Sequence, residues 1–375
     1  MLLELDSEQE FLQKTTARFL EDQASVTELR RLRDDPGGYK PDFWRQGAEL
    51  GWTSLLVAED DGGVAISDSG LVDLTLVAHE FGTHAAPGPL VGTNVVAGAL
   101  SAAGGHGDLI ERLLDGSTIG AWAFTEGTAT GDFTDVRLEI TVSGDELILN
   151  GVKRPVESAE RASHLLVSGR ADSGPTQVLV PTDAAGLSIT AMKTVDMTRR
   201  FAVVKFDNVR VPASAVVGEV GQAGAAIEQQ LQHALVIANA ESVGAMQRGF
   251  DMTVEWAFDR YSFGRPLASY QALKHRFAHM ATWLEASHAI SDEAARAVSD
   301  KSPNAAKLVS AAKAYVGTYG TELLQEAVQL HGGIGVTFEH DLHLFLRRVT
   351  LDRALFGTPD AHQRRIAGIV AQKEG

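Results

Sequence analysis

Cysteine is absent from the 375 residues, which removes disulfides, thiol nucleophiles and cysteine-ligated metal centres. Positive charge is also scarce. The chain has 33 Lys and Arg against 49 Asp and Glu, a formal net charge of −16. Such a surface repels phosphate backbones at long range, so no nucleic-acid partner is expected. A small anion can still be met by a local basic group or a helix N-terminus. Long apolar runs are missing: no window reaches about 18 uncharged apolar residues, so no membrane span is expected. The opening stretch MLLELDSEQEFLQ has no basic region ahead of an apolar run. No export signal is read there, and the cytoplasm is the expected location. Metal-ligand spacing is lacking too, since His340 and His343 in HDLHLFLRR have no acidic partner at a suitable interval. What remains is an ordinary globular composition, 44% hydrophobic, long enough for two or three cores.

The periodicity of the chain changes twice. From the N-terminus the pattern is helical. DSEQEFLQKTTARFLED (6–22) sets Phe11, Leu12, Thr15 and Phe19 on roughly one face, with Asp6 or Ser7 as the cap. PDFWRQGAELGW (41–52), DSGLVDLTLVAHEFGTH (68–84) and PLVGTNVVAGALSAAG (89–104) continue it. From about residue 119, short strand-like runs alternate with Gly, Asp and Asn turns, among them IGAWAFTE, ELILNGVKRPV, HLLVSGR and AVVKFDNVRVP. After Val217 the chain is helical again, with helices expected at 222–259, 268–299, 303–331, 338–349 and 359–372. The fold class is therefore mainly α with a central β domain. Three domains are expected: an N-terminal helical domain (1–118), a middle antiparallel β-barrel or sandwich (119–217) and a C-terminal four-helix bundle (218–375).

Three stretches carry a family likeness. DRYSFGRPLASYQALKHRFAHM (259–280) has Arg260, then Phe263-Gly264, then Gln271; QLHGGIGVT (329–337) and FDNVRVP (206–212) follow the same family's order. Over nearly its whole length the chain resembles the acyl-CoA dehydrogenase family of flavoproteins. The resemblance implies FAD as cofactor, an acyl-CoA substrate, and electron-transfer flavoprotein or a similar electron acceptor. It also implies that Arg260, Phe263, Gln271, Gln329, Gly332 and Gly333 reach across a subunit interface to the diphosphate and adenosine end of a neighbour's FAD. Arg supplies a planar fork for a diphosphate, and glycines let backbone N–H groups approach it. From the residues alone, Arg260 and Gln271 can equally be a surface ion pair and a helix-end amide, and Phe263 can be ordinary packing. Thr125 and Thr358 complete the cofactor candidates, at the ring-facing side.

The departures gather around the chemistry. The family's catalytic Glu corresponds to Phe356 here, and its known alternative position to Ala234; neither residue accepts a proton. The neighbouring Arg is Leu235. In TEGTATGD (125–132), Thr125, Glu126 and Asp132 are kept and the serine position is Gly131. The Trp-Ile-Thr beside the flavin ring is Pro155-Val156-Glu157, after a matching NGVK. A carboxylate there opposes the negative charge of a reduced flavin. Glu241 is the one substitute base the sequence offers. It lies among small and apolar residues seven positions past Ala234, about 10.5 Å along the helix, and can equally be a structural Glu paired to an Arg. Arg199 and Arg200 can meet CoA phosphates or form a solvated basic turn. His233 and His331 read as packed residues.

The expected function is that of a supporting subunit. It would serve a partner chain that holds the catalytic Glu, as in the actinobacterial α2β2 enzymes of steroid side-chain breakdown, whose second subunit type lacks the flavin ring. The alternatives are a self-sufficient homo-oligomeric dehydrogenase with a relocated base such as Glu241, and a flavin-free structural or ligand-binding member.

Overall fold

In this computed structural model, residues 4–33, 35, 37–127 and 135–374 are described. Asp6 opens the first helix with a capping box. Its carboxylate accepts from the N–H groups of Glu8 and Gln9, and the Gln9 side chain returns the bond to the Asp6 N–H. Helix α1 (Ser7–Gln23) buries Gln9, Leu12, Thr16 and Leu20. The buried face is thus rotated from the expected one, and Phe11 is 71% exposed. Two buried polar side chains explain the rotation. Gln9 Nε2 donates to Asp73 Oδ1 (2.9 Å), and the Trp52 indole donates to Thr16 Oγ1 (3.1 Å). Polar residues with such partners are core residues, which hydrophobic periodicity does not register.

Helices α2 (Val26–Leu32), α3 (Pro41–Glu49), α4 (Gly70–Thr83), α5 (Leu90–Ala103) and α6 (Gly107–Leu114) complete the first helical region. The strands follow: β1 (Gly120–Ala123), β2 (Glu139–Ser143), β3 (Glu146–Glu157), β4 (His164–Ala171), β5 (Gly174–Pro181), β6 (Leu187–Met192), β7 (Phe201–Pro212) and β8 (Val216–Val217). They form one sheet in the order β6-β7-β3-β2-β4-β5-β8, with β1 added on β4. Two expectations are corrected here. The path runs open from β6 to β8 and is not a closed barrel. The sheet is mixed and not purely antiparallel, because β1 and β2 both pair parallel with β4. The β1–β4 pair arises because β1 enters directly from the first helical region, packed on α5.

The last region holds α7 (Gly224–Asp259), a two-strand ribbon β9 (Tyr261–Ser262) and β10 (Arg265–Pro266), α8 (Gln271–Ser299), α9 (Ala305–His331), α10 (Leu342–Ala354) and α11 (Pro359–Glu374). Helices α7 to α10 pack against one another as a bundle, with α11 on α9. The expected helix at 338–349 lies four to five residues further on. Its start was misjudged because the preceding Gly332–Val336 is a tight 3-10 turn followed by irregular chain.

Helix α4 ties the first region to the last. It crosses α7 at two glycines, where no side chain fits. A Cβ on Gly82 would lie 1.8 Å from the Glu241 carbonyl, and one on Gly244 1.9 Å from the His79 carbonyl. This close approach brings the middle of α7, and with it Glu241, against the end of α4 and the β6–β7 turn.

Candidate functional site

Seven charged side chains converge in the interior between the sheet and the bundle. Strand β3 supplies Glu157, the β6–β7 turn Asp196 and Arg199, α7 Glu241, α9 Lys313, and α10 Arg348 and Asp352. Arg199 grips Glu157 through two parallel bonds, Nε to Oε1 (2.6 Å) and Nη2 to Oε2 (2.8 Å). Its Nη1 is shared between Asp352 Oδ1 (2.8 Å) and Glu241 Oε2 (3.3 Å). Arg348 donates from Nε to Asp196 Oδ2 (2.6 Å) and from Nη1 to Glu241 Oε1. Its Nη2 reaches the carbonyls of Ala85 and Ala86 and the Thr198 hydroxyl. Lys313 donates to the Asp352 carbonyl, and the Ser242 hydroxyl to Asp352 Oδ2 (3.1 Å).

Burial sets the acidities. Burial and the facing Glu241 push Asp352 up to about 7, and burial drops Lys313 to about 8 against the pull of Asp352. Burial also raises Glu157, although Arg199 opposes the shift. Asp196 goes the other way: against burial, Arg348 and the Thr198 N–H hold it below the usual carboxylate range. Both guanidiniums stay charged, since the surrounding carboxylates outweigh burial.

Beside this cluster lies an aromatic stack. Trp122 and Phe124 leave the same face of the chain at β1, with ring centroids 4.4 Å apart and planes 5° from parallel. The Phe356 ring closes on Trp122 at 5.7 Å. Phe356 has φ +55°, a left-handed backbone that a bulky side chain rarely adopts, and its carbonyl meets His362 Nε2 at 2.9 Å. Thr125 and Glu126 follow the stack. Glu126 accepts from the fully buried Lys153 and from the N–H groups of Arg137 and Leu138. The Thr125 carbonyl accepts from the Arg154 N–H. Thr358 caps α11, its hydroxyl accepting from the Ala361 N–H at 3.3 Å. Gly131 and Asp132 lie outside the described residues.

A second group stands on the outer surface where α7, α8 and α9 end. Arg260 is exposed, lies 5.9 Å from the Trp256 ring, and makes no ion pair with a carboxylate among the described residues. Phe263 is 97% exposed at φ +50°. Gln271, the first residue of α8, and Gln329, near the end of α9, are exposed. A Cβ added at Gly264, Gly332 or Gly333 would meet nothing within 4 Å. These backbones face open space and are free to approach a ligand. Unlike the first group, this surface is preformed and unpaired.

Two family models match the chain: the acyl-CoA dehydrogenase N-terminal domain over residues 6–115 and the acyl-CoA dehydrogenase C-terminal domain over residues 222–370. Acyl-CoA dehydrogenase IpdE2 of Mycolicibacterium smegmatis is 30% identical over 366 residues, covering 96% of this chain and 98% of its own. The chain belongs to the acyl-CoA dehydrogenase family. IpdE2 of Mycobacterium tuberculosis is 28% identical over 361 residues, covering 96% of each chain. Among solved structures, the steroid acyl-CoA dehydrogenase Tcur3481-Tcur3483 superposes with a TM-score of 0.89 at 28% identity, covering 98% of each chain. Butyryl-CoA dehydrogenase of Megasphaera elsdenii shares the fold, with a TM-score of 0.89 at 22% identity, over 99% of this chain and all of its own.

Within this acyl-CoA dehydrogenase fold, Glu241 is 3% exposed and each of its oxygens accepts from a guanidinium. Arg199 is equally buried and Arg200 is bonded to the carbonyls of Leu32, Asp35 and Met197, so neither forms a solvated turn. Sequence reasoning missed Arg348, Asp352, Lys313 and Asp196, and also the stack of Trp122 and Phe124. One signal was available: Arg348 and Asp352 stand four apart, on one face of α10.

Proposed function

We propose that the chain is the supporting subunit of an FAD-dependent acyl-CoA dehydrogenase, paired with a second acyl-CoA dehydrogenase-like chain as α2β2. One observation carries the reading: the two halves of the family's cofactor site are in opposite condition. At the ring-facing half, Glu157 is locked to Arg199 and Phe356 packs on Trp122. These residues do not fit an isoalloxazine, which needs a flat, uncharged bed. At the diphosphate half, an unpaired guanidinium and open glycines fit a diphosphate well. Arg260, Phe263, Gln271, Gln329, Gly332 and Gly333 would then hold the diphosphate and adenosine of the partner's FAD. Thr125 and Thr358 would frame this chain's own closed ring side.

The flavin, when bound in the partner, supplies the hydride acceptor for α,β-dehydrogenation of an acyl-CoA thioester. The partner also supplies the base. Glu241 is ill placed for that role, because it is buried and each of its oxygens is already taken by a guanidinium. The likeness to a steroid enzyme named for two components favours a steroid-derived acyl chain and a hetero-oligomer. Electron-transfer flavoprotein is the acceptor by family analogy, and the cytoplasm the location. We divide the chain at 118/119 and 217/218, a division supported by family models that stop at 115 and resume at 222.

Flavin absorbance tests the proposal. The chain purified alone should be colourless, and yellow only when co-purified with its partner. A yellow chain that dehydrogenates acyl-CoA on its own would make it a self-sufficient homo-oligomer. No flavin under either condition would make it a structural member of the family.

A further inference from the structure

The buried cluster does not balance in charge. Glu157, Asp196, Glu241 and Asp352 are four carboxylates, and Arg199, Arg348 and Lys313 are three cations. The other groups packed there add no charge. Ser242 and Thr198 contribute hydroxyls. His362, on α11, is held neutral because burial, with Lys313 nearby, drops it to about 3. If every group ionised, one negative charge would be left over in a buried interior. A buried carboxylate in that position takes up a proton in preference to remaining charged.

The geometry says where the proton sits. Asp196 is saturated with donors, namely Arg348 Nε, the Thr198 N–H and the Thr198 hydroxyl. Glu157 has both oxygens on Arg199. Glu241 and Asp352 are different, because one oxygen of each accepts from the same NH2 group, Nη1 of Arg199, which holds the two carboxylates side by side. Two adjacent buried carboxylates repel unless one of them carries a hydrogen. Burial and the facing Glu241 push Asp352 into the neutral range, which agrees with this placement.

The next residues of the chain give the proton a consequence. Asp352 stands two residues before the end of α10. The turn that follows holds Phe356 in its left-handed conformation, kept there by packing on Trp122 and by His362 on the carbonyl. A strained residue persists only while its surroundings hold it. We propose that Asp352 holds one proton beside Glu241, and that releasing it drives the end of α10 and the 355–358 turn away from α7. The cluster is thus a pH-sensitive latch on the segment that closes the ring side. This holds whether or not the chain serves a partner.

Amide hydrogen exchange of the whole chain, corrected for intrinsic rates, tests it between about pH 4.5 and about pH 7.5. Each pH unit between the ordinary carboxylate value of about 4 and the raised value of about 7 can shift the opening equilibrium by up to about tenfold. Protection of residues 352–358 should therefore fall at least about tenfold more than that of α9 residues. Asp352→Asn leaves three carboxylates against three cations and should make that segment indifferent to pH. Glu157→Gln gives the same count by another route, and serves if the first variant does not fold. Equal loss of protection in both segments of the wild-type chain overturns the proposal. So does an unchanged pH response in a folded variant.

Discussion

The interior cluster and the surface around Arg260 are both rich in charge, yet they are opposites. Inside, every guanidinium is matched: Arg348 is fully buried and uses all three of its nitrogens. Outside, Arg260 makes no ion pair among the described residues and Phe263 is 97% exposed. A buried ion network costs desolvation and is intolerant of loss, whereas an exposed cation costs nothing until something binds it. The difference separates charge that holds a fold together from charge that awaits a ligand.

The largest effect should come from cutting the cluster. Arg348→Ala would leave Asp196 and Glu241 buried without their main partner, and should destabilise the chain by about 3–5 kcal/mol. Denaturant unfolding followed by circular dichroism measures this. A change below about 1 kcal/mol would mean that the interior is wet and the contrast with the surface is false.

Next comes the surface. Arg260→Ala should leave the chain's own stability nearly unchanged but cost the assembled enzyme about 2–5 kcal/mol in FAD binding, or roughly 30- to 5,000-fold in affinity. Arg260→Lys should recover part of it, being a point charge without the fork. FAD per assembly, read by absorbance after gel filtration, decides. Full flavin content in the Ala variant would return Arg260 to the ordinary surface.

Much of this contrast was legible in the sequence, though unevenly. The order of helices and strands followed from periodicity, because each apolar face or alternation is a local property. The outer group was found through two short runs of residues, 259–280 and 329–337, the members of each being close in the chain. The interior cluster was not found, because its seven members come from five separate elements that meet only in the folded chain. Glu241 was singled out as an isolated carboxylate, but its partners Arg199 and Arg348 are 42 and 107 residues away. The rotated face of α1 was lost for a related reason: Gln9 and Thr16 are core residues only because Asp73 and Trp52 lie opposite.

A smaller effect should appear in the pH dependence of stability. The folded state holds the Asp352 proton more tightly than the unfolded chain does, since its pKa is raised to about 7. A raised acid is no burden below its unfolded pKa, and its stability is lost as pH rises through the folded value. Stability should therefore fall from about pH 4 to about pH 7 at up to about 1.4 kcal/mol per pH unit, and this contribution levels off above that. Asp352→Asn should flatten that slope, which thermal melts at a series of pH values would show.

The smallest effect within the chain itself should be that of Phe263→Ser. The ring is 97% exposed and sits at φ +50°, so it packs on nothing whose loss could be felt. Surface changes of this kind usually stay within about 0.5 kcal/mol, and the isolated chain should melt as before. The assembly should respond differently. A solvated Phe held upright beside Arg260 makes sense only if another surface covers it, and burying such a ring contributes about 1.5–3 kcal/mol. The variant should therefore dissociate from its partner, or release FAD, at protein concentrations where the parent stays whole. Sedimentation of parent and variant over a dilution series gives the comparison. Identical dissociation curves would mean that the α7–α8 end faces water in the complex, and that the cofactor-serving surface lies elsewhere.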